Sequence, residues 1–297
     1  MYSVRPKADF LARMLGTIGY FRGKPRIADF FGRLACSRNA AGNFPLPDGK
    51  TASVDLSDRI QRLMWAGAYE PHVTRCITAL LRPGDTFIDV GAHIGFFSLI
   101  ASSRVGPDGH VFAFEANCDR FEELKSNAAA YPWLVCYSLA VWNKSGRIDF
   151  SNPQQPGESG WGKVAAVRKE GHVVTVEAIS LDEWHEIEGF PAIRLIKIDA
   201  EGAEPFILEG MRRLVSKTHP YLIVELNDQL LRETGYSEHA IARIIRKDQY
   251  RIFAMTTDGL KEVLSDSNGM MSTELLCVPS DEFEYAKTTL QRVLPMS

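Results

Sequence analysis

The sequence has no run of about 18 apolar residues, the minimum for a membrane-crossing helix, so we expect no transmembrane segment. Near the N-terminus the apolar stretches are short, because Arg13, Gly16, Gly19 and Arg22 interrupt them, and no signal-peptide pattern results. Cysteine is scarce as well: the 297 residues contain five, and no two form a Cys-x-x-Cys pair. Both features favour free thiols in a reducing compartment, so we expect a cytoplasmic protein.

Over most of the chain, basic residues are fewer than acidic ones. The net charge is −3, yet residues 1–50 hold nine Lys or Arg against three Asp, a net charge of +6. The remaining residues therefore carry a net charge of −9. A body this acidic argues against a nucleic-acid binder, which needs a basic surface.

Residues 1–50 form a predicted basic N-terminal appendage. Apolar residues recur at helical spacing around Leu11–Ile18 and again around Ile27–Leu34, which predicts two short amphipathic helices. Residues 39–50 are typical of a linker or of a turn between extended segments. The helices either pack on the core as a lid or a homodimer contact, or place residues 1–35 on an anionic membrane surface.

Residues 51–297 alternate between helix and strand patterns and form one predicted domain. Short apolar runs such as 86–90, 110–114 and 193–198 are typical of strands buried on both faces, with helical periodicity between them. We predict an α/β fold with seven core strands, mostly parallel, in which a final meander leaves one strand antiparallel. Residues 146–178 interrupt this alternation and predict an inserted β-hairpin with a mobile Gly/Pro/Ser-rich tip.

The first candidate motif is Asp89-Val90-Gly91-Ala92-His93-Ile94-Gly95, where a strand leads into a tight turn and a helix. Gly91 permits a positive φ and leaves room for a ligand, and Gly95 lets the helix begin close to the turn. A dinucleotide fingerprint needs glycines at i, i+2 and i+5, and the second of these is missing here. The spacing therefore disfavours NAD and FAD.

Two sets of acidic residues follow at predicted strand ends. Glu115 comes 24 residues after Gly91, where a carboxylate can accept hydrogen bonds from both hydroxyls of a ribose. Asp199 and Glu201 follow the strand that ends at Ile198, at the sheet edge that faces the ligand crevice. A metal site is the minority alternative for these two, because no His lies nearby, and Glu204 is assigned to helix-dipole stabilisation.

Together these motifs resemble the FkbM family of methyltransferases. The resemblance runs from about residue 55 to 260, and it includes Ala68-Tyr69-Glu70-Pro71 and Leu222-Ile223-Val224-Glu225. It implies a class I methyltransferase, Rossmann-like fold with strand order 3-2-1-4-5-7-6, S-adenosylmethionine as cofactor, and O-methylation of a sugar, glycolipid or secondary metabolite. The family often has Asn where this chain has His93 and Val where it has Ala200.

The resemblance and the motifs together give the candidate cofactor site. Ala116 and Asn117 are expected beside the adenine, and the turn at 138–141 lacks an Asp, so backbone atoms near Ala140 or the side chain of Asn143 would contact the adenine amino group. The predicted cofactor-binding residues are Asp89, Gly91, Ala92, His93, Gly95, Phe96, Glu115, Ala116, Asn117, Ala140 and Asp199.

Methyl transfer to a hydroxyl benefits from a general base. Asp199 is the first candidate because it ends a central strand, and Glu201, His93 and Glu225 follow. The acceptor is expected to be a small molecule or a glycan, and no metal is predicted. Two alternatives stay open: a nicotinamide-dependent oxidoreductase, and a non-catalytic adenosyl-binding or scaffolding protein.

Overall fold

A computed structural model describes residues 23–35, 41–152, 163–164, 172–189, 192–247, 249–263 and 274–294. The first predicted amphipathic helix and most of the predicted tip of the insertion, including Trp161, lie outside these residues. Within the described parts, no helix combines the length and apolar character needed to cross a membrane.

The N-terminal part contains helix α1 (Lys24–Ala35), strands β1 (Ala41–Pro45) and β2 (Thr51–Asp55), and helix α2 (Arg59–Trp65). Helix α1 confirms the second predicted amphipathic helix. The segment predicted as a linker or turn, residues 39–50, is only partly a turn, because Ala41–Pro45 form strand β1 and residues 46–50 connect it to β2. The two strands are antiparallel, and Ala41 pairs with Asp55. These strands lie on either side of residue 50, where the boundary between the appendage and the main domain is predicted. The boundary, the membrane contact and the homodimer all stay predictions.

The other strands belong to a large central sheet and a small inserted one. They are β3 (Thr86–Val90), β4 (His110–Phe114), β5 (Leu134–Tyr137), β6 (Ala140–Val141), β7 (Gly146–Asn152), β8 (Lys163–Val164), β9 (His172–Ile179), β10 (Leu195–Ile198), β11 (Tyr221–Glu225), β12 (Tyr250–Thr256), β13 (Gly259–Glu262) and β14 (Glu274–Pro279).

The central sheet is mixed and runs in the order β13-β12-β14-β11-β10-β3-β4-β5. Strands β5, β4, β3, β10 and β11 are parallel, and β14 lies antiparallel between β11 and β12. The sheet has one strand more than predicted, because the short polar strand β13 pairs with β12 at the edge. Its alternating buried and exposed residues are too few to give a strand pattern in the sequence.

Helices cover both faces of this sheet. One face carries α3 (Pro71–Leu80), α4 (Phe96–Val105), α5 (Cys118–Ala128) and α11 (Phe283–Leu290). The opposite face carries α6 (Leu181–Glu188), α7 (Glu204–Glu209), α8 (Arg212–Thr218), α9 (Asp228–Glu233) and α10 (Glu238–Arg246). Since successive strand residues point to opposite faces, Phe87 enters the first hydrophobic cluster and Ile88 the second.

The predicted hairpin at 146–178 is confirmed as the antiparallel pair β7 and β9, with Gly146 opposite Ala178. Strands β6 and β8 extend it to a four-stranded sheet. Phe150 of β7 reaches the cavity described below, so the insertion contributes to the candidate site.

Candidate functional site

A cavity of about 290 Å³ lies at the carboxyl ends of the central parallel strands. Residues at or just after the ends of β3, β4, β10 and β11 line it, and this is the edge where open α/β sheets bind ligands. Its volume is near the lower end of the range of ~300–1,000 Å³ for ligand pockets. The geometry therefore agrees with the edge predicted from the motifs.

The turn after β3 is held by backbone contacts on two sides. The backbone N–H groups of Gly91 and Ala92 both donate to the carbonyl oxygen of Phe114, each at 3.0 Å. Gly91 has φ +78°, and a Cβ there would lie 1.8 Å from the carbonyl oxygen of Asp199. The space that a side chain would fill at Gly91 is thus taken by the neighbouring loop, and glycine is required by packing as well as by φ.

The carboxylate of Glu115 is fixed by two backbone donors. The N–H of His93 donates to Oε2 and the N–H of Asn117 donates to Oε1, each at 2.8 Å. Burial raises the pKa of Glu115 to about 7, although both hydrogen bonds oppose the increase. His93 itself has φ +54°, which directs its N–H toward this carboxylate within the tight turn. Glu115 is therefore pre-positioned at the cavity wall.

Asp199 is paired with a buried lysine. The Nζ of Lys197 lies 2.8 Å from Oδ2 of Asp199, and the lysine side chain is only 3% exposed. The ammonium also lies 4.8 Å from the centre of the Phe97 ring. Burial by itself lowers the pKa of Lys197, but Asp199, Asp89, Glu70 and Glu225 together raise this pKa above its ordinary value. Lys197 is therefore a permanently charged cation within a group of acids.

Glu204 lies in the first turn of helix α7, where the helix-dipole assignment needs it, and it also caps the preceding turn. Its Oε1 accepts hydrogen bonds from the backbone N–H groups of Ala200 and Gly202, both at 3.1 Å, so it closes the turn that holds Asp199. The side chain is buried, and burial raises its pKa to about 7.

A second group of acids lies beside Lys197. Glu70, Glu225 and Glu274 each offer a carboxylate oxygen, and the three atoms lie within 4.8 Å of one another. Oε2 of Glu274 is 3.0 Å from Nε2 of His72. Burial and neighbouring carboxylates raise the pKa of Glu70 to about 7 and the pKa of Glu225 well above its ordinary value, and Lys197 opposes both shifts. The three oxygens form a half-buried acid cluster.

Acidic side chains outnumber basic ones around the cavity. The acidic residues that line it are Glu70, Glu115, Asp199, Glu201 and Glu225, and the basic ones are Arg59 and Arg120. Arg120 is already paired with Glu123 at 2.8 Å. By formal charge, the residues that line the cavity are thus predominantly acidic.

Comparison with known proteins places this geometry in a family. The sequence profile of the Methyltransferase FkbM domain matches residues 89–252, more than half of the chain. The chain belongs to the FkbM methyltransferase family. The resemblance inferred from the motifs is therefore confirmed.

Three relatives are similar over about half of this FkbM-family chain. Hexuronic acid methyltransferase AglP from Haloferax volcanii is 33% identical over 161 residues, which are 53% of this chain and 62% of AglP. The 2-O-methyltransferase NoeI from Sinorhizobium fredii is 26% identical over 187 residues, 58% of this chain and 76% of NoeI. The 31-O-demethyl-FK506 methyltransferase FkbM from Streptomyces tacrolimicus is 30% identical over 176 residues, 47% of this chain and 67% of that protein.

The structure brings most of the predicted site residues of this FkbM-family protein together. Eight of them line the cavity: Gly91, His93, Glu115, Ala116, Asn117, Ala140, Asp199 and Glu201. Asn117 also begins helix α5, because its side chain accepts hydrogen bonds from the N–H groups of Asp119 and Arg120. Their assigned roles in binding or catalysis stay predictions.

Four predicted cofactor residues lie behind the cavity wall. Asp89 is buried and accepts a hydrogen bond from Oγ of Ser98 at 2.5 Å, and Ala92 is buried in the turn. Gly95 precedes helix α4, and a Cβ there would lie 2.7 Å from Leu124. The Phe96 ring packs against Phe44, Tyr69 and Phe97. These four support the turn from behind.

Some residues in or beside the cavity have no signal in the sequence that marks them as functional. Glu70 belongs to a stretch that resembles the family but carries no role there, and neither Lys197 nor Arg59 is part of a predicted site. Glu70 and Arg59 precede β3, and only the tertiary fold brings them to the sheet edge. The one local signal is a lysine in an otherwise apolar strand, since a buried Lys requires a partner.

Proposed function

We propose that this chain is an S-adenosylmethionine-dependent methyltransferase that O-methylates a hydroxyl group of a sugar, glycolipid or secondary metabolite in the cytoplasm. Membership of the FkbM family supports the reaction class. The observation that carries the proposal is the acid-lined cavity at the carboxyl edge of the sheet, where the Glu115 carboxylate is held by two backbone N–H groups. The names of the relatives support an oxygen acceptor and, in one case, a hexuronic acid.

The residues around the cavity fit S-adenosylmethionine. Glu115 would accept from the ribose hydroxyls, while Ala116, Asn117 and Ala140 would flank the adenine. The excess of carboxylates suits a sulfonium cation, whereas the two negative charges of a dinucleotide pyrophosphate would meet Asp199 and Glu201. When bound, S-adenosylmethionine supplies an activated methyl group, so the protein has to align the acceptor and exclude water.

Asp199, Glu201 and His93 stay the proposed catalytic residues from the sequence. Asp199 and Glu201 would stabilise the positive charge beside the acceptor. As a proton acceptor, Asp199 is disfavoured by its ion pair with Lys197, because that pair stabilises the ionised carboxylate.

Calorimetric titration with S-adenosylmethionine and, separately, with NADH tests the cofactor. We expect saturable binding of S-adenosylmethionine only, and a loss of affinity of about 10- to 100-fold in Glu115→Gln, which exchanges a charged acceptor for an amide. Glu122→Gln is the matched control, because Glu122 is exposed and does not line the cavity. Binding of NADH alone would exclude the methyltransferase proposal and favour the oxidoreductase alternative.

Labelled methyl transfer to a panel of acceptors then tests the substrate class. The panel holds hexuronic acid glycosides, neutral sugar glycosides and non-sugar alcohols at equal concentration. Label on a hydroxyl oxygen of any of these supports O-methylation. Binding of S-adenosylmethionine with transfer only to amines, or with no transfer to any acceptor class, would contradict it.

A further inference from the structure

Glu70 has a backbone conformation that its position in the sequence does not explain. Its φ and ψ are 35° and 61°, in the left-handed region, although it is not glycine and precedes Pro71 at the start of α3. The side chain makes no capping hydrogen bond to this helix. Strained backbone of this kind persists where the surroundings enforce it, often at functional sites. The strained residue is here one that lines the cavity.

The carboxyl group of Glu70 is less firmly held than its acidic neighbours in the cavity. Glu115 accepts hydrogen bonds from two backbone N–H groups, and Asp199 is paired with Lys197. Oε2 of Glu70, in contrast, is buried and has no hydrogen-bond partner in the part of the chain that the structure describes. A buried carboxyl oxygen without a donor is stable when the group carries a proton, and it is costly when the group is ionised.

Glu225 is a neighbouring acid whose charge acts on the protonation of Glu70. It ends strand β11, and its carboxylate lies within 4.8 Å of that of Glu70. Two carboxyl groups this close in a half-buried site do not both ionise readily, so the pair retains one proton over a wide pH range. The pKa of Glu70 is raised to about 7, which suits a group that takes up and releases a proton near neutral pH.

Several other groups face this pair and set its charge. Lys197 from β10 lowers the pKa of both carboxyl groups, and Asp199 raises them. Glu274 from β14 raises the pKa of Glu70, and Glu274 is itself in contact with His72 of α3. Glu201 raises the pKa of Glu225. The hydroxyl of Tyr69 lowers the pKa of Glu70. The carboxyl groups around Lys197 thus outnumber this one buried cation, which favours retention of a proton by the pair.

We propose that the Glu70–Glu225 pair is the general base of this site, with Glu70 as the catalytic residue that receives the acceptor's proton. The role rests on the proposed methyltransferase function. As the acceptor oxygen forms its bond to the methyl carbon, the bond from that carbon to the sulfonium sulfur breaks and its electron pair stays on the sulfur, which leaves as a neutral thioether. The O–H bond of the acceptor breaks as well, and the proton passes to the Glu70 carboxylate. The electron pair of that bond stays on the oxygen, which ends as a neutral ether. The proton then leaves Glu70 for solvent, and Glu225 keeps its own.

The proton state of the pair is measured without any turnover. Infrared difference spectra of the full-length protein, recorded across pH in the absence of ligand, report protonated carboxyl groups through their C=O band. We expect Glu70→Gln to remove a component that titrates near pH 7, and to shift the titration of Glu225 to lower pH because a like charge is gone. Glu122→Gln is the control and leaves the spectra unchanged. Identical titrations in the wild type and in Glu70→Gln would overturn the shared proton.

Kinetics then separate the base from a structural or metal-binding role. With labelled S-adenosylmethionine and a hydroxyl acceptor from the panel, we expect Glu70→Gln to lower kcat by about 10²- to 10⁴-fold. Its affinity for S-adenosylmethionine should stay within about threefold of the wild type, because Glu70 carries no cofactor contact in the proposal. Glu70→Asp should recover part of the rate with an altered pH profile.

Three results would overturn the proposal. An unchanged kcat in Glu70→Gln would remove Glu70 from the chemistry. Loss of wild-type activity in EDTA with recovery in MgCl₂ or MnCl₂, and loss of metal binding in Glu70→Gln, would make Glu70 a metal ligand. Failure of the wild type to bind S-adenosylmethionine would refute the proposed function and this role together, while the infrared titration would still show whether the pair shares a proton.

Discussion

The backbone of Gly91 lies so close to Asp199 that a Cβ at Gly91 would be 1.8 Å from the Asp199 carbonyl oxygen. The N–H of Asp199 also donates to the carbonyl oxygen of Val90 at 3.1 Å. The turn after β3 and the loop after β10 are therefore in direct backbone contact. Each loop carries candidate site residues, so a displacement of one moves the other.

Gly91→Ala should consequently damage both stability and binding. Alanine at φ +78° is strained, and its methyl group would force the Asp199 loop away. Gly84→Ala is a matched control, because Gly84 has φ +87° but a methyl group there would meet no atom within 4 Å. We expect a cost of about 1 kcal/mol for Gly84→Ala and at least about 3 kcal/mol for Gly91→Ala in denaturant unfolding. Equal costs would show that only φ matters.

The contact between Gly91 and Asp199 shows which features of the site the sequence alone predicts and which it does not. The sequence predicts a glycine with positive φ at position 91, because a strand runs into a tight turn there. It does not predict what fills the space beside it, since the Asp199 loop is more than a hundred residues away. Local patterns thus locate the turn, and the tertiary fold decides its neighbour.

Lys197→Met tests whether the buried cation is needed for stability. Its side chain is 3% exposed, so its removal leaves Asp199 and the neighbouring acids without a counter-charge. We expect a loss of about 3–5 kcal/mol in the free energy of unfolding. Arg33→Met is the control, because Arg33 is 68% exposed in its pair with Asp29 and should cost less than about 1 kcal/mol.

A double variant shows whether the cost comes from charge. Lys197→Met combined with Asp199→Asn removes both members of the pair, so it should be more stable than Lys197→Met alone. The measurement is guanidinium unfolding at about pH 7 for the four members of the cycle. Additive effects of the two substitutions would mean that the ion pair contributes no coupling energy.

Phe44 tests whether the N-terminal strand pair is part of the core. Its ring is 2% exposed and lies 5.2 Å from the ring of Phe96, behind the cavity wall. Phe44→Ala should cost about 3–5 kcal/mol, as for other buried aromatic residues. Phe30→Ala is the control on helix α1, where the ring is 59% exposed, and should change stability by no more than about 0.5 kcal/mol. Similar small costs for both would support a separable appendage that ends at residue 50.

The sequence predicts strand ends and glycine turns well, because these depend on neighbours in the chain. Glu115 and Asp199 are predictable in this way, since both follow runs of buried apolar residues. Glu70 is not, because its importance depends on Glu225 and Lys197, which come from other strands. Whether a charged side chain is buried, and how its pKa is shifted, depend on the tertiary fold. The local sequence pattern therefore predicts neither well.

The pH dependence of stability should reflect the buried acids around the cavity. Burial raises the pKa of Glu204 from 4.5 to about 7, so the native state binds this proton more tightly than the unfolded chain does. Its contribution is fully present below pH 4.5 and is lost as the pH rises through about 7. Glu70 and Glu115 are shifted in the same direction. The free energy of unfolding should therefore fall between about pH 5 and about pH 8, a window taken from these shifts.

Glu204→Gln isolates one of these groups. The amide keeps an oxygen for the N–H groups of Ala200 and Gly202, so the turn should stay intact, but it has no proton to lose. Since a shift from 4.5 to about 7 corresponds to about 3 kcal/mol, the variant should show a shallower fall of stability by up to that amount. Unfolding in denaturant at several pH values measures this, with Glu122→Gln as the exposed control. A pH dependence in Glu204→Gln as steep as in the wild type would show that the Glu204 carboxyl is ionised throughout, and that the turn around Asp199 admits water.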